Sequence, residues 1–155
     1  MRTATELLRA YVAGPHDSDS LLPLFTEDCD LEAPYFASIG MPWQFKGHQQ
    51  LAESFKHLNL LYPGLQFENL RIVCATADTA VGEYEFLATS ARTRRKIHQL
   101  SVIEIQAVDG KIALLREFQN IVEIALAVFP DGLDAVSIPD DRDLRIGAFS
   151  SGDQQ

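Results

Sequence analysis

The sequence is short of positive charge. Thirteen Lys and Arg stand against 22 Asp and Glu, a formal net charge of −9. Polyanion binding draws its affinity from Lys and Arg that neutralise phosphates, so this balance argues against a nucleic-acid partner. The one basic cluster, Arg92, Arg94, Arg95 and Lys96, falls between two strand-like segments and reads as a solvated hairpin loop or, less simply, an anion-binding loop. Cysteine is scarce as well. Cys29 and Cys74 make neither a disulfide framework nor a metal-ligand spacing, and both are read as reduced thiols of a cytoplasmic protein. No apolar run approaches membrane-spanning length, and Glu6 interrupts the stretch where a signal peptide would need to be apolar, so no membrane association is expected. A glycine-rich phosphate loop, a GxSxG nucleophile elbow, an HExxH helix and paired-cysteine metal ligands are all missing. The expectation is therefore chemistry without a cofactor and without a metal.

What remains is an ordinary globular composition, 46% hydrophobic and 23% charged over 155 residues. That is one domain by length, burying roughly two-thirds of the surface its unfolded chain exposes. Leu7, Leu8, Tyr11 and Val12 recur at helical spacing between Thr3 and Ala13, with Thr3 or Thr5 as cap and Gly14-Pro15 as stop. A second short helix is expected over about Asp19 to Phe25, a short strand over Cys29 to Ala33, and an irregular stretch from Pro34 to Gly47. Gly47 then opens a third helix carrying Leu51, Phe55, Leu58 and Leu61, stopped by Tyr62-Pro63-Gly64. Beyond it the period changes. Leu65 to Cys74, Ala80 to Thr89, Ile97 to Val108 and Lys111 to Val122 read as strands rich in Ile, Val, Phe and Tyr.

Helices gathered on one side of an antiparallel meander predict an α+β fold. A twelve-residue strand spans about 40 Å at about 3.3 Å per residue. Strands of that length curl, and three helices closing a curled antiparallel sheet leave a cone-shaped, half-barrel pocket. The expected domain is residues 1–130, followed by a partly disordered C-terminal arm over 131–155.

Three stretches carry a family resemblance. Phe45-Lys46-Gly47-His48-Gln49-Gln50-Leu51 opens the third helix, Phe67-Glu68-Asn69-Leu70-Arg71-Ile72 makes the next strand, and Asp109-Gly110-Lys111-Ile112 with Arg116-Glu117-Phe118-Gln119-Asn120 makes the closing hairpin. Over roughly residues 5 to 130 the chain resembles the nuclear transport factor 2-like superfamily, a cystatin-like architecture that includes ketosteroid isomerase and the SnoaL-like polyketide cyclases. Its motifs are most similar to those of the phenazine-biosynthesis A/B proteins. That superfamily hosts isomerases, cyclases, dehydratases, hydrolases and non-catalytic binders, so the likeness is specific for fold and weak for reaction.

Glu117 is the first candidate for catalysis. It lies late in the last long strand between apolar neighbours, where lost hydration raises a carboxyl pKa toward the working range of a general acid/base. The resemblance places it at the acid/base glutamate of the phenazine proteins. The plain alternative is an outward-facing glutamate, or one paired with Arg71 or Arg116. The turn decides its neighbours. A three-residue bulged turn at Val108-Asp109-Gly110 sets Ser101 opposite Glu117 and Gln99 opposite Gln119, which gathers Gln99, Ser101 and Glu117 on one surface as substrate-binding candidates; a two-residue turn sets Val102 opposite Glu117. The bulged turn is preferred because it reproduces the family pattern.

His48, at the start of the third helix, is the second catalytic candidate, since a histidine can exchange protons near neutral pH and the matching residue in relatives lines the pocket. Its alternative role is to cap the helix. Tyr84 and Phe86 alternate with Glu83 and Glu85 in one strand. A concave apolar face sends the two rings into the pocket and the glutamates outward; the reverse face would bring two carboxylates inside. Tyr35, Phe36 and Trp43 are expected at the pocket mouth, or else in the ordinary core. An aromatic, mostly apolar cavity suits a flat, ring-bearing small molecule.

The expected activity is acid/base chemistry on a carbon acid: isomerisation, cyclisation, dehydration or condensation. A non-catalytic binding or partner-subunit protein on the same fold is the alternative. Val73, Val81, Leu100 and Val102 make the outer face of the meander apolar enough to predict a homodimer through the sheets, the arrangement common among relatives.

Overall fold

The computed structural model describes residues 1–136. The expected C-terminal arm lies, for 137–155, outside the described residues; before it, Gly132–Ala135 forms one 3-10 turn.

Helix α1, Ala4–Ala13, starts at a capping box. The Glu6 amide donates to Thr3 Oγ1, and the Thr3 amide donates to Glu6 Oε2 at 2.8 Å. Removing such a cap costs about 0.5–2 kcal/mol. Leu7, Leu8, Tyr11 and Val12 are buried as their spacing predicts. The second helix is shorter than expected. It runs from Ser18 to Leu21 (α2) and tightens into a 3-10 turn over Leu22–Leu24. Phe25 is already in the first strand, β1 (Phe25–Glu32). The irregular stretch holds a 3-10 helix, Pro34–Ile39, and a short strand, β2 (Gln44–Lys46). Helix α3 spans Gly47–Leu61 and begins where expected. Gly47 sits at φ +70°, a conformation that L side chains rarely adopt, and a Cβ there would also meet the Glu27 carbonyl at 3.2 Å.

The meander consists of β3 (Gln66–Ala75), β4 (Thr79–Thr89), β5 (Lys96–Val108) and β6 (Lys111–Phe118). The fold is α+β, with one curved six-stranded sheet in the order β2-β1-β6-β5-β4-β3. The sheet is mixed rather than purely antiparallel, because β1 runs parallel to β6. A parallel pair needs a long crossover, and here α3 with the whole meander supplies it. Register shifts in β3 and beside Ala107 bend the strands, as bulges do. Helices α1 and α3 pack over the concave side and bury their apolar stripes there in one continuous core.

Two expectations fail at the last strand. It was expected to reach Val122 but stops at Phe118, and Ile121–Val128 forms a helix, α4. Asn120 caps that helix, accepting from the Val122 and Glu123 amides. The Ile/Val-rich composition favours a strand; the cap and the buried Ile124, Ala125, Ala127 and Val128 at helical spacing prevail over it. The hairpin also differs. Asp109 at φ 51° and Gly110 at φ 75° form a two-residue turn, with Val108 opposite Lys111. Positive φ at both central residues is the signature of the turn that matches strand twist. An extra residue, Ala113, then bulges from β6, so Glu117 stands opposite Ile103 rather than Ser101 or Val102. The bulge restores the parity that the preferred turn would have given. Glu117 therefore still shares its face with Ser101 and Gln99.

Among the described residues no helix is long and apolar enough to cross a membrane.

Candidate active site

The concave side of the sheet encloses a cavity of ≈ 700 Å³, within the range of about 300–1,000 Å³ usual for small-molecule sites. Its wall is mostly apolar. Leu31 and Ala33 come from the β1 end, Phe36, Met41 and Phe45 from the stretch that follows, Leu58 and Leu61 from α3, Phe67 and Phe86 from the meander, and Ile124 from α4.

Glu117 is the carboxylate set into this wall from the sheet, and it is only 7% exposed. Its Oε1 accepts two phenolic hydrogen bonds, from Tyr84 at 2.9 Å and Tyr11 at 3.2 Å. Its Oε2 accepts from Gln119 Nε2 at 3.3 Å. Three elements build the arrangement: β6 carries the carboxylate, β4 brings Tyr84 across the sheet, and α1 lays Tyr11 over it. Burial raises the Glu117 carboxyl above its ordinary value, and the hydrogen bonds from Tyr84, Tyr11 and Gln119 act in the opposite direction. Both phenols are pushed well above the usual range, first by burial and then by the charge of Glu117. They act as fixed donors. With Oε1 tied down twice, Oε2 is the atom left to exchange a proton.

The other expected residues divide into four groups. Phe86 lines the cavity, as predicted. Tyr84 and Ser101 are fully buried behind it, cross-strand partners of each other, with the Ser101 hydroxyl beside the Tyr84 phenol. Gln99 turns its Oε1 to the Asn120 amide at 2.6 Å and so holds the start of α4. Tyr35, Trp43 and His48 lie outside the wall. Tyr35 is 51% exposed and rests its ring on Phe118, while the Trp43 carbonyl accepts from the Ala33 amide at 2.7 Å. Phe36, expected with Tyr35 and Trp43, does line the cavity, together with Met41 and Phe45. His48 sits in the first turn of α3 with Nε2 3.3 Å from the Phe25 carbonyl oxygen. The face that α3 gives to the cavity holds Gln50, Ser54 and His57.

Glu83 and Glu85 point to the outer face, where Glu83 pairs with Arg71 at 2.6 Å and Glu85 with His98 at 3.0 Å. Tyr11 was missed as a site residue. A tyrosine at helical core spacing looks the same whether or not its hydroxyl reaches a partner 106 positions away. Among the described residues no group of three or more His, Cys, Asp or Glu is placed to hold a metal ion.

A curved sheet whose helices close a cavity on its concave side is the nuclear transport factor 2-like fold. The SnoaL-like domain model matches residues 4–115, and the chain belongs to that family. The match ends short of Glu117, so the role of this residue rests on its geometry. A suspected isomerase from Bacillus subtilis is similar in structure, at 22% identity and TM-score 0.69, covering 88% of this chain and 96% of its own. A phenazine biosynthesis-related protein from Pseudomonas aeruginosa gives 21% identity and TM-score 0.69, covering 93% and 91%. A suspected polyketide cyclase from Xanthomonas campestris gives 18% and 0.67, covering 78% and 93%. At these identities the likeness establishes the fold alone. A search of curated proteins finds no match.

Proposed function

We propose that this protein is an enzyme of small-molecule metabolism that moves a proton on a flat, ring-bearing carbon acid, with Glu117 as the general base. The observation that carries the reading is the environment of Glu117: a carboxylate in the wall of an apolar cavity, held by three neutral donors. Burial without a cation raises its proton affinity toward the working range, and the tyrosines fix its orientation. Oε2 takes a proton from a carbon next to a carbonyl or imine. The C–H electron pair passes into the enolate or enamine, and the carboxylic acid so formed returns the proton to another atom of the same framework. Isomerisation, cyclisation, dehydration and condensation all pass through this step. Neighbours named as an isomerase and a polyketide cyclase are consistent with it.

A non-catalytic binding role would be favoured by a Glu117 locked to Arg71 or Arg116. Arg71 pairs with Glu83 and Arg116 with Glu32 and Glu104, all away from the cavity, which supports the catalytic reading. The test is hydrogen–deuterium exchange at the acidic carbon of β-tetralone, followed by NMR in heavy water. The wild-type protein is expected to accelerate exchange and Glu117→Gln to lose that acceleration; equal exchange by both removes Glu117 from the mechanism.

The outer face supports a homodimer through the sheets, since Leu100 and Val73 are 61% and 52% exposed there, with Val81 and Val102 half-buried beside them. Light scattering on the eluted protein is expected to give twice the chain mass, and a monomer would contradict it.

A further inference from the structure

Besides Gln50, Ser54 and His57, the cavity wall holds Tyr62, a polar residue that the proton transfer at Glu117 does not use. Tyr62 follows the last turn of α3, its amide bonded to the Leu58 carbonyl at 2.8 Å and its carbonyl accepting from the Leu65 amide at 3.1 Å. Its backbone is thus fixed at both ends. The side chain belongs to the cavity wall and is 3% exposed, and its ring stands edge-on to Phe86 at 5.5 Å. The hydroxyl is buried with no hydrogen-bond partner among the described residues. Buried hydroxyls are nearly always paired, and one left alone costs about 1–3 kcal/mol. A phenylalanine would fill the same space without that cost, so the hydroxyl points to a ligand atom that accepts from it.

The register locates this donor relative to Glu117. Phe86 stands opposite Gln99 on β5, and Glu117 stands opposite Ile103 on the same strand. Four residues of strand separate these backbone positions, about 13 Å at about 3.3 Å per residue, while the Glu117 carboxylate leans to the Tyr84 hydroxyl, two residues from Phe86. Phe67 and Phe86 occupy the wall here, with the Phe67 ring 4.7 Å from Tyr84 and 5.5 Å from Phe86. Along this aromatic wall an acceptor of protons, Glu117, stands beside Tyr84 and a donor of a hydrogen bond, Tyr62, stands beside Phe86. Burial pushes the Tyr62 phenol up to about 12, so it remains a donor throughout the neutral range.

We infer that Tyr62 binds a hydrogen-bond-accepting oxygen, a ring carbonyl or phenolate, at the end of the ligand remote from the carbon that reacts at Glu117. The ligand class is a flat aromatic or polyketide-like ring system with polar groups at opposite ends. The inference rests on the proposed proton transfer only in saying which end reacts. Binding energy gathered at a remote end positions the reacting carbon, which is how such contacts serve catalysis.

The test uses two probes of nearly equal shape, β-acetylnaphthalene, which has an acceptor oxygen, and β-ethylnaphthalene, which has none. Calorimetric titration of wild type, Tyr62→Phe and Glu117→Gln is compared, with a thermal melt of each variant as a folding control. Tyr62→Phe is expected to weaken the ketone about five- to tenfold, the size of one buried hydrogen bond, while the hydrocarbon changes less than about twofold. The ketone is expected to lose more affinity on Tyr62→Phe than on Glu117→Gln. Equal effects of Tyr62→Phe on both probes overturn the inference, as does a wild-type protein that does not bind the ketone. A loss of ketone binding in Glu117→Gln with none in Tyr62→Phe overturns it by moving the oxygen to the other end. Failure of the catalytic reading appears elsewhere, as proton exchange that survives Glu117→Gln.

Discussion

Two of the most buried carboxylates of this protein stand on opposite faces of one sheet. Glu32, on β1, is fully buried and has the Arg116 guanidinium at 2.8 Å, with Gln44 as a further donor. Glu117, next to Arg116 in sequence, points the other way, and among the described residues its hydrogen-bond partners are two tyrosines and a glutamine. Burial raises both carboxyls; at Glu32 the guanidinium opposes it with a full charge, and at Glu117 only neutral dipoles do. At Glu32 burial still outweighs the guanidinium, so both carboxyls stand above their ordinary value, and what differs is the partner: an ion pair within the framework at Glu32, neutral donors beside a cavity at Glu117. A carboxylate denied a cation and placed on a cavity keeps a proton affinity useful for transfer.

The comparison breaks most visibly at Glu117. Replacing it with Gln keeps the shape and the Tyr contacts but removes the exchangeable proton, and proton-exchange activity should fall about 10²–10⁴-fold. Residual activity within a fewfold of wild type would put the chemistry elsewhere. On the outer face, Arg116→Met leaves Glu32 buried beside no guanidinium, and chemical denaturation should show a loss of about 3 kcal/mol. The proton affinity of Glu117 should not move; a shift there would mean that the two faces are coupled.

A smaller effect is expected from Tyr84→Phe. It removes the shorter donor to Oε1, so the carboxyl should titrate at higher pH still, with a loss of about 1.5–3 kcal/mol of stability for a hydrogen bond to a charged group. The smallest effect is on stability against pH. A carboxyl whose folded pKa is raised favours the folded state fully below its unfolded pKa and loses that contribution as pH rises through the folded value. Glu117→Gln lacks this loss. Its melting temperature relative to wild type should therefore rise between acidic and neutral pH, and a relative fall would mean that the carboxyl is depressed.

The parts of this account that were legible in the sequence are those with local signals. The capped α1, the glycine that opens α3 and the four long strands were visible through period and punctuation, and Glu117 through its apolar neighbours and its family likeness. What was missed depends on distant partners or on signals that compete. The bulge at Ala113 carries no local mark, yet it decides that Ile103 faces Glu117. The parallel pairing of β1 with β6 joins segments far apart in the chain. Helix α4 did carry a sign, Asn120 followed three residues later by Glu123, the spacing of a helix cap, but an Ile/Val-rich run obscured it. Of the three rings expected at the pocket mouth, Phe36 reaches the wall while Tyr35 and Trp43 do not, and Met41 and Phe45 line it beside Phe36.

The most direct measurement is the titration of Glu117 itself. Carboxyl-labelled protein would be followed by carbon NMR from pH 3 to pH 9, with Glu117→Gln to assign the resonance. The account predicts a midpoint above that of an ordinary glutamate, raised further by Tyr84→Phe. A midpoint at or below the ordinary value would mean a solvated or ion-paired carboxylate, and would contradict the assignment of Glu117 as the base.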